Sequence, residues 1–358
     1  MNKKVRIAVI GTGWWATEAH LPALLANIDA DLVALCDTSA SRVEAAAEHF
    51  QIDRHYTDVA AMLAAEELDG AVIATNHVAH YEVARQCLER GLHLVIEKPL
   101  TVYAADARAL IELAARQQRE IVLGYPYNYL PFASHVRSLL ASGELGEVQY
   151  ASAMFNSNVL GFLQGTDANL QTDVHGPGDA YADPARSVGG HAHTQLTHIA
   201  GLLFFLTQLT PLRVQAMMQN FGLAVELAAV INVAFTNGAI GTVHGIGSIG
   251  ETSHSDQDLH ITCTQGIVNV SARHFTCTVY RPDQKPEIFL PADGQPYFSH
   301  APSQNLVGIC RGSDQNRSPA EAGWRAVEVL HAAYESVASD GRPIEIKDLY
   351  EEETNEDH

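Results

Sequence analysis

A short apolar run near the start of the chain, followed by two closely spaced glycines, constrains the fold more than any other feature. Val5–Ile10 is apolar except at Arg6, and Gly11-Thr12-Gly13-Trp14-Trp15-Ala16 follows it directly. Such a run is typical of a buried parallel strand, and glycines where a helix begins allow a tight turn and close approach of the backbone to a pyrophosphate. The spacing predicts a dinucleotide-binding turn that borders the cofactor with Gly11, Thr12, Gly13, Trp14 and Trp15.

Asp37 favours this interpretation over an ordinary glycine turn, which the glycine spacing alone also fits. It follows the next apolar run, residues 32–36. A carboxylate at that strand end accepts hydrogen bonds from the adenosine ribose of a dinucleotide and repels the 2′-phosphate of NADP. The sequence therefore predicts an NAD site and makes NADP the less favoured cofactor.

Apolar runs alternate with amphipathic stretches through the first third of the chain. The runs cover residues 7–10, 32–36, 71–74, 94–96 and 121–123. This alternation is typical of a doubly wound parallel sheet, an α/β fold in which ligands bind beyond the carboxyl ends of the strands. The residues that follow these runs are therefore candidates for a functional site: Thr75, Asn76, His77, Glu97, Lys98 and Tyr125.

After Tyr125 the pattern changes to a series of strands, which predicts a second, α+β domain. Ser318, Pro319 and Glu321 have the spacing of a helix N-cap with a capping box. We expect domains at residues 1–125 and 126–345, followed by an acidic tail at 346–358. The expected strands of the second domain are 148–155, 213–219, 227–235, 239–245, 260–264, 267–272 and 277–280, with an apolar helix at 194–209.

The charge of the chain limits its partners. It carries 42 acidic and 22 basic side chains, a formal charge of −20. Nucleic acids and anionic membranes both need a positive face, so neither is an expected partner. The cysteines are scattered without a C-x-x-C pair, and no segment has the length of a signal peptide or a membrane span. We therefore expect a cytoplasmic protein without a zinc knuckle or a disulfide framework.

Several motifs together resemble the Gfo/Idh/MocA oxidoreductase family. They are the turn at 11–16, Asp37, Ala74-Thr75-Asn76-His77 with His80, Glu97-Lys98-Pro99, the turn at 143–148, and Gly189-Gly190 followed by His198. The resemblance implies an N-terminal Rossmann domain and a C-terminal α+β domain with a large, mostly antiparallel open sheet. It also implies a homodimer or homotetramer that exchanges hydride between a tightly held nicotinamide cofactor and a sugar, cyclitol or related polyol.

Glu97-Lys98-Pro99 is the most specific of these motifs. Position alone is equally consistent with an ammonium that stabilises a developing alkoxide and with a surface ion pair before a turn. The resemblance implies that Lys98 is the catalytic lysine, that Glu97 lies beside the nicotinamide ribose, and that the Lys98–Pro99 bond can be cis. We also expect contacts with the cofactor from Thr75, Asn76, His77 and His80.

The second catalytic segment of the family departs from its usual pattern in this chain. His198 is retained, but Thr194 stands where an aspartate is expected, and Gly201 replaces a second one. A threonine cannot act as a carboxylate base, so proton transfer falls to His198. Thr194 lies one helical turn earlier on the same face, where it can donate a hydrogen bond to a substrate oxygen.

Other residues are candidates for contacts with the substrate. Residues 125–131 lack the arginine that the family often carries there, which favours a neutral, hydroxyl-rich substrate. His191, His193 and His198 could meet a metal ion, but no carboxylate or cysteine completes an obvious ligand set, so we expect no metal. The candidate substrate-binding residues are Tyr125, Asn128, Asp183, Arg186, His193 and Thr194.

Three functions fit these residues. The first is an NAD-dependent dehydrogenase of a sugar, cyclitol or sugar derivative. The second is an NAD-dependent glycosidase, which uses the same oxidation transiently to eliminate a glycosidic bond and does not accumulate NADH. The third is a non-catalytic regulator that senses a nucleotide. The presence of Lys98 and His198 argues against the third function, whereas Thr194 in place of the family aspartate is consistent with it.

We predict that NAD binds more tightly than NADP, because the Asp37 carboxylate repels a 2′-phosphate. Calorimetric titration of the purified protein with both cofactors measures the difference. Asp37→Ala is expected to reduce the difference between the NAD and NADP affinities. It removes the carboxylate that accepts from the ribose of NAD and repels the 2′-phosphate of NADP. Equal or tighter binding of NADP by the unmodified protein would contradict the role of Asp37.

Overall fold

The structure, a computed structural model, describes residues 3–166, 172, 174–250 and 255–350. The strands are β1 (Val5–Ile10), β2 (Ala30–Cys36), β3 (His55–Tyr56), β4 (Gly70–Ile73), β5 (His93–Ile96), β6 (Ile121–Leu123), β7 (Val148–Phe155), β8 (Pro211–Gln219), β9 (Ala228–Phe235), β10 (Ile240–Ile246), β11 (Gln257–Cys263), β12 (Gly266–Ser271), β13 (Thr276–Tyr280), β14 (Glu287–Phe289) and β15 (Ile344–Glu345). The α-helices are α1 (Leu21–Leu25), α2 (Ala40–Phe50), α3 (Val59–Ala65), α4 (His80–Glu89), α5 (Ala104–Gln117), α6 (Ala133–Ala141), α7 (Leu160–Gln164), α8 (Pro184–Ser187), α9 (Thr197–Thr207), α10 (Ala301–Cys310) and α11 (Ala320–Ala338).

The first sheet confirms the predicted doubly wound fold. In the described residues its strand order is β3-β2-β1-β4-β5-β6, and every pairing is parallel. Ile7 and Ala8 point to opposite faces of β1, and both are fully buried. A strand buried on both faces needs an unbroken apolar run rather than an alternating one, which is why the sequence pattern identified these strands.

The second sheet is mostly antiparallel, as predicted. Its order among the described residues is β14-β13-β12-β11-β7-β10-β9-β8-β15, and only the β7–β10 pair is parallel. Helix α9 is buried from Thr197 to Leu206 and packs with α6 and α11 against one face of the sheet. A helix that is apolar on all sides is stable only when it is enclosed in this way.

Helix α10 belongs to the core of the first sheet, although the expected division at residue 125 assigned it to the second domain. Its residues Leu306, Val307 and Ile309 are buried in the same cluster as Ile7 and Val9 of β1. The chain therefore returns to the first domain after completing most of the second sheet. Sequence pattern could not reveal this return, because an apolar helix face does not specify which sheet it covers.

The expected acidic tail begins later than residue 346. A 3-10 turn covers Ile346–Tyr350, and Ile346 is buried. The Tyr350 hydroxyl donates to Glu328 at 2.5 Å and accepts from the Trp324 indole at 2.7 Å. These contacts hold the turn on α11. Residues 351–358 lie outside the described residues.

Two helix starts differ from their predictions. The α11 N-cap is Pro319, without a side-chain cap bond, because the Ser318 backbone carbonyl accepts from Leu123 N and its hydroxyl accepts from Asn128 Nδ2 at 3.0 Å. The predicted capping box is therefore wrong. The helix expected at 194–209 begins earlier, as a π-helical turn over Ala192–Leu196 that leads into α9.

We predict that Gly323→Ala destabilises the protein, opposite to the usual effect inside a helix. A Cβ at position 323 would overlap the side chain of Leu123, which is fully buried, and would lie close to Leu100 Cβ. Alanine is ordinarily favoured by about 1 kcal/mol in a helix, but overpacking costs about 1–3 kcal/mol. Thermal unfolding measures whether the substitution lowers or raises the melting temperature.

The matched control is Leu123→Ala combined with Gly323→Ala. The two changes should cost less together than the sum of the single changes, because the added methyl enters space that the leucine vacates. A higher melting temperature for Gly323→Ala alone would contradict this packing.

Candidate functional site

The glycine turn after β1 is shaped by its packing against β4. Gly11 has φ +86°, and a Cβ there would lie 2.5 Å from the carbonyl oxygen of Ala74. A Cβ built on Gly13 would meet no described atom within 4 Å beyond its own stretch of chain. The turn thus leaves open space beside the backbone that leads into the first helix, and Trp14 and Trp15 are partly exposed next to it. A pyrophosphate fits this type of cradle.

Asp37 is fixed at the end of β2. Its Oδ2 accepts from the backbone N–H of Thr12 at 2.9 Å and from the Thr12 hydroxyl at 3.2 Å. Its Oδ1 accepts from Ser39 N at 2.9 Å. Thr12 is fully buried, so it contributes to the predicted cofactor site by orienting this carboxylate.

The residues after β4 divide into two groups. Thr75 and Asn76 lie toward the surface, where the Asn76 side chain caps the turn that follows. His80 is fully buried, with Nδ1 2.7 Å from the Pro99 carbonyl and Nε2 3.2 Å from the Thr75 carbonyl. Its ring therefore links the residues that follow β4 to those that follow β5.

His77 and His193 meet at one backbone carbonyl. The Nδ1 atoms of the two rings lie 3.0 and 3.2 Å from the oxygen of Ser187. A carbonyl only accepts, so each Nδ1 carries a proton and each Nε2 is unprotonated in the neutral ring. Burial lowers the pKa of His193 to about 4 and that of His77 well below its ordinary value. Both rings are therefore neutral near pH 7.

Glu97 follows β5 directly and is buried. Its Oε1 accepts from the Trp15 indole at 3.1 Å and from His20 Nε2 at 3.0 Å. Burial acts to raise the pKa of Glu97, but the His20 hydrogen bond and the nearby Lys98 charge outweigh it, and the net change is a lowering. Glu97 is therefore an ionised carboxylate in the crevice.

Lys98 reaches from the first domain to the second. Its Nζ donates to the backbone carbonyl of Thr194 at 2.9 Å, and its peptide bond to Pro99 is cis. Burial lowers the pKa of Lys98, and the Glu97 charge opposes that change. The ammonium has three N–H donors, so two remain for a ligand.

The His198 ring is surrounded by aromatic side chains. Its ring centre is 6.1 Å from that of Tyr125, 5.9 Å from Tyr127 and 6.1 Å from Phe155, on which it stacks. Nδ1 is buried without a hydrogen-bond partner in the described residues. Burial, with a smaller contribution from the Lys98 charge, lowers the pKa of His198 well below its ordinary value. The ring is therefore neutral near pH 7 and can accept a proton.

Thr194 takes a different position from the one predicted. Its hydroxyl donates to the Gly190 carbonyl at 2.8 Å, so the proton is not free for a substrate oxygen. The π-helical turn also changes the helical spacing between Thr194 and His198. Thr194 thus contributes its backbone carbonyl, which holds Lys98.

The candidate substrate residues divide in the structure. Tyr125 is buried and its hydroxyl lies 2.7 Å from Thr197 Oγ1, beside His198. Asn128 is also buried, and its Nδ2 donates to Ser318. Asp183 caps α8, and Arg186 pairs with Asp179 at 2.6 Å. Tyr125 therefore lies with the catalytic candidates, whereas Asp183 and Arg186 have partners elsewhere. Asn128 Oδ1 is buried without a hydrogen-bond partner in the described residues.

Sequence reasoning missed two residues that shape this site. His20 bonds Glu97, and Glu226 accepts from the backbone N–H groups of Gly190 and Ala192, both at 2.7 Å. The position of His20 in the helical segment after the glycine turn was an available signal, whereas nothing marks Glu226. No metal-binding cluster of three or more His, Cys, Asp or Glu occurs in the described residues. Among the same residues, no helix is both long and apolar enough to cross a membrane.

Comparison with known proteins gives a consistent result across the chain. Residues 5–125 match the model of an oxidoreductase family with an NAD-binding Rossmann fold, and residues 133–269 match the GFO/IDH/MocA C-terminal domain. A solved inositol dehydrogenase homologue from Azotobacter vinelandii, in complex with NADH and myo-inositol, has a TM-score of 0.77 at 18% identity and covers 96% of this chain and 98% of its own. That similarity concerns the fold.

Curated relatives align over part of the chain. D-apiose dehydrogenase of Paraburkholderia graminis is 32% identical over 43% of this chain and 41% of the relative. D-glucoside 3-dehydrogenase of Escherichia coli is 28% identical over 42% of this chain and 43% of the relative. In both alignments the chain spans less than half of the relative's length. Together with the two family models, these matches establish that the chain belongs to the GFO/IDH/MocA family of oxidoreductases.

Proposed function

We propose that this protein is an NAD-dependent dehydrogenase that transfers a hydride between the nicotinamide and a hydroxyl carbon of a sugar, cyclitol or sugar derivative. One observation carries the proposal. Lys98, after a parallel strand of the first domain, donates to the Thr194 carbonyl in the segment that leads to His198, and its charge helps to lower the pKa of His198. The carboxyl ends of the parallel strands are the place where ligands bind in such sheets.

The residues present fit a dinucleotide. The open space at Gly13 receives the pyrophosphate, and Asp37 accepts from the adenosine ribose. Asp37 already has two backbone N–H donors, which fix its carboxylate at the crevice edge. The same carboxylate supports the preference for NAD over NADP.

Lys98 and His198 have different roles at the substrate oxygen. A nicotinamide bound in the crevice supplies the hydride acceptor. As the C–H electron pair leaves, the two free N–H donors of Lys98 stabilise the negative charge that develops on the oxygen. The His198 ring takes the hydroxyl proton as the C=O bond forms, since the ring is neutral. In the reverse direction the protonated ring returns that proton.

A neutral, hydroxyl-rich substrate fits the charges of the site. Lys98 and Glu97 carry opposite charges, while burial keeps His77, His193 and His198 neutral. Residues 125–131, the segment beside the site, contain no arginine. The dehydrogenases of apiose and glucosides among the relatives act on molecules of this kind by name.

A homo-oligomer is supported by the open face of the second sheet. Met217 and Ile240 are 69% and 60% exposed, on the face opposite the helices. Met217 pairs with Val230 across β8 and β9, and Ile240 pairs with Tyr150 across β10 and β7, so the exposed apolar residues are neighbours. Exposed apolar pairs on an open sheet face are typically covered by another subunit.

We predict that Lys98→Ala and His198→Ala each lower kcat by roughly two or more orders of magnitude, because each group acts mainly in the transition state. NAD affinity should remain nearly unchanged. The double variant should be little worse than either single variant, since the groups act as a unit. NADH absorbance with a panel of sugars, inositols and glycosides identifies the substrate and measures kcat.

Thr207→Ala provides the matched control, because Thr207 lies at the other end of the helix that carries His198 and its hydroxyl donates to the Leu203 carbonyl. A His198→Ala protein with near-normal kcat would remove His198 as the base. Cleavage of a glycoside without net NADH would instead indicate the elimination reaction.

We predict that Val230→Lys shifts the protein toward smaller assemblies in light scattering at micromolar concentration, because it places a charge in the apolar sheet face. Leu25→Lys is the control, since Leu25 is similarly exposed but lies on the first domain. A clean monomer for the unmodified protein would exclude an oligomer formed through this face.

A further inference from the structure

The two oxygens of the Glu97 carboxylate have different surroundings. Oε1 accepts from the Trp15 indole and from His20 Nε2, at 3.1 and 3.0 Å. Oε2 accepts from the backbone N–H of Lys98 at 3.2 Å. An oxygen with two donors uses both of its lone pairs, whereas one with a single donor can accept another hydrogen bond. Oε2 is therefore the oxygen that can bind a ligand hydroxyl.

The rotation of this carboxylate is restricted by its neighbours. A Cβ on Gly124 would overlap Glu97 Oε1, so the backbone of Gly124 lies directly against the carboxylate. Trp15 approaches from the glycine turn, and His20 from the helical segment that follows it. Only His20 among these contacts is itself held by a residue from the far end of the chain.

His20 is fully buried and bonded at both ring nitrogens. Nε2 faces the Glu97 carboxylate, which only accepts, so Nε2 carries a proton. Nδ1 lies 2.8 Å from the hydroxyl of Ser303, which is also fully buried. In the neutral ring Nδ1 accepts from that hydroxyl. Ser303 lies on α10, the helix that returns to pack on the first sheet.

We propose that His20, oriented by Ser303, is a positioning residue that keeps Glu97 Oε2 directed at a hydroxyl of the nicotinamide ribose. The proposal rests on the NAD-dependent function argued above. A carboxylate that accepts from a hydroxyl gives the stronger, charge-assisted type of hydrogen bond. Without His20, Oε1 keeps one donor fewer, and the carboxylate can turn away from the ligand.

The test uses calorimetric titration of the purified full chain with two probes, NAD and ADP. ADP lacks the nicotinamide ribose, so it measures the adenosine half of the site alone. His20→Leu is expected to weaken NAD binding by roughly tenfold or more, the range for a charge-assisted hydrogen bond. ADP binding should stay within about twofold, the ordinary scatter for a change that removes no contact.

Rescue distinguishes positioning from packing. His20→Gln retains a side-chain N–H donor and should recover most of the NAD affinity. Ser303→Ala removes only the partner of His20 and should give a smaller loss than His20→Leu, again for NAD and not for ADP. It also preserves the test if His20→Leu fails to fold.

Leu24→Ala is the control for general destabilisation, since Leu24 is buried in the next turn of the same segment. It should lower the melting temperature and leave the ratio of NAD to ADP affinity unchanged. Equal losses of NAD and ADP binding in the His20 variants, or no loss of NAD binding, would overturn the proposal. If the unmodified protein bound ADP but not NAD, the proposed function would fail first, and the role of His20 with it.

Discussion

The hydrogen bond from Lys98 Nζ to the Thr194 carbonyl is the contact on which the site depends. It joins the end of a first-domain strand to the start of the helical segment that carries His198. Neither domain alone contains both groups, so the proposed chemistry requires the two domains to pack together. The Thr194 carbonyl also accepts one of the three N–H donors of the ammonium. This bond fixes the rotation of the ammonium and therefore the direction of its other two N–H groups.

Burial sets the protonation states around this contact. Removal from water lowers the pKa of His77, His193 and His198, which keeps the rings neutral and able to accept protons or hydrogen bonds. Glu97 is buried too, yet it remains ionised because His20 and the Lys98 charge outweigh desolvation. Burial therefore leaves these histidines neutral but leaves Glu97 charged, because His20 and Lys98 compensate the charge of Glu97.

Close packing explains why two glycines precede the helical segment that carries His198. A Cβ on Gly189 would overlap the Tyr334 hydroxyl, and one on Gly190 would overlap the Glu226 carbonyl. Tyr334 in turn donates to the Glu226 carboxylate at 2.9 Å, and that carboxylate accepts the first N–H groups of the segment. The glycines allow this close approach, which sets the direction of the helix that carries His198.

The amino-acid sequence by itself determined the parallel strands and the glycine turn, because local periodicity and spacing reveal them. Asp37 followed from its place at the end of the second apolar run, and the resemblance to the family identified the Glu97-Lys98 pair and His198 as candidates. The tertiary structure decided the hydroxyl direction of Thr194 and the partners of His20, because those depend on the whole chain. His20 and Ser303 are 283 positions apart in sequence. No local pattern specifies such a pair, since only the packing of α10 on the first sheet brings the two side chains together.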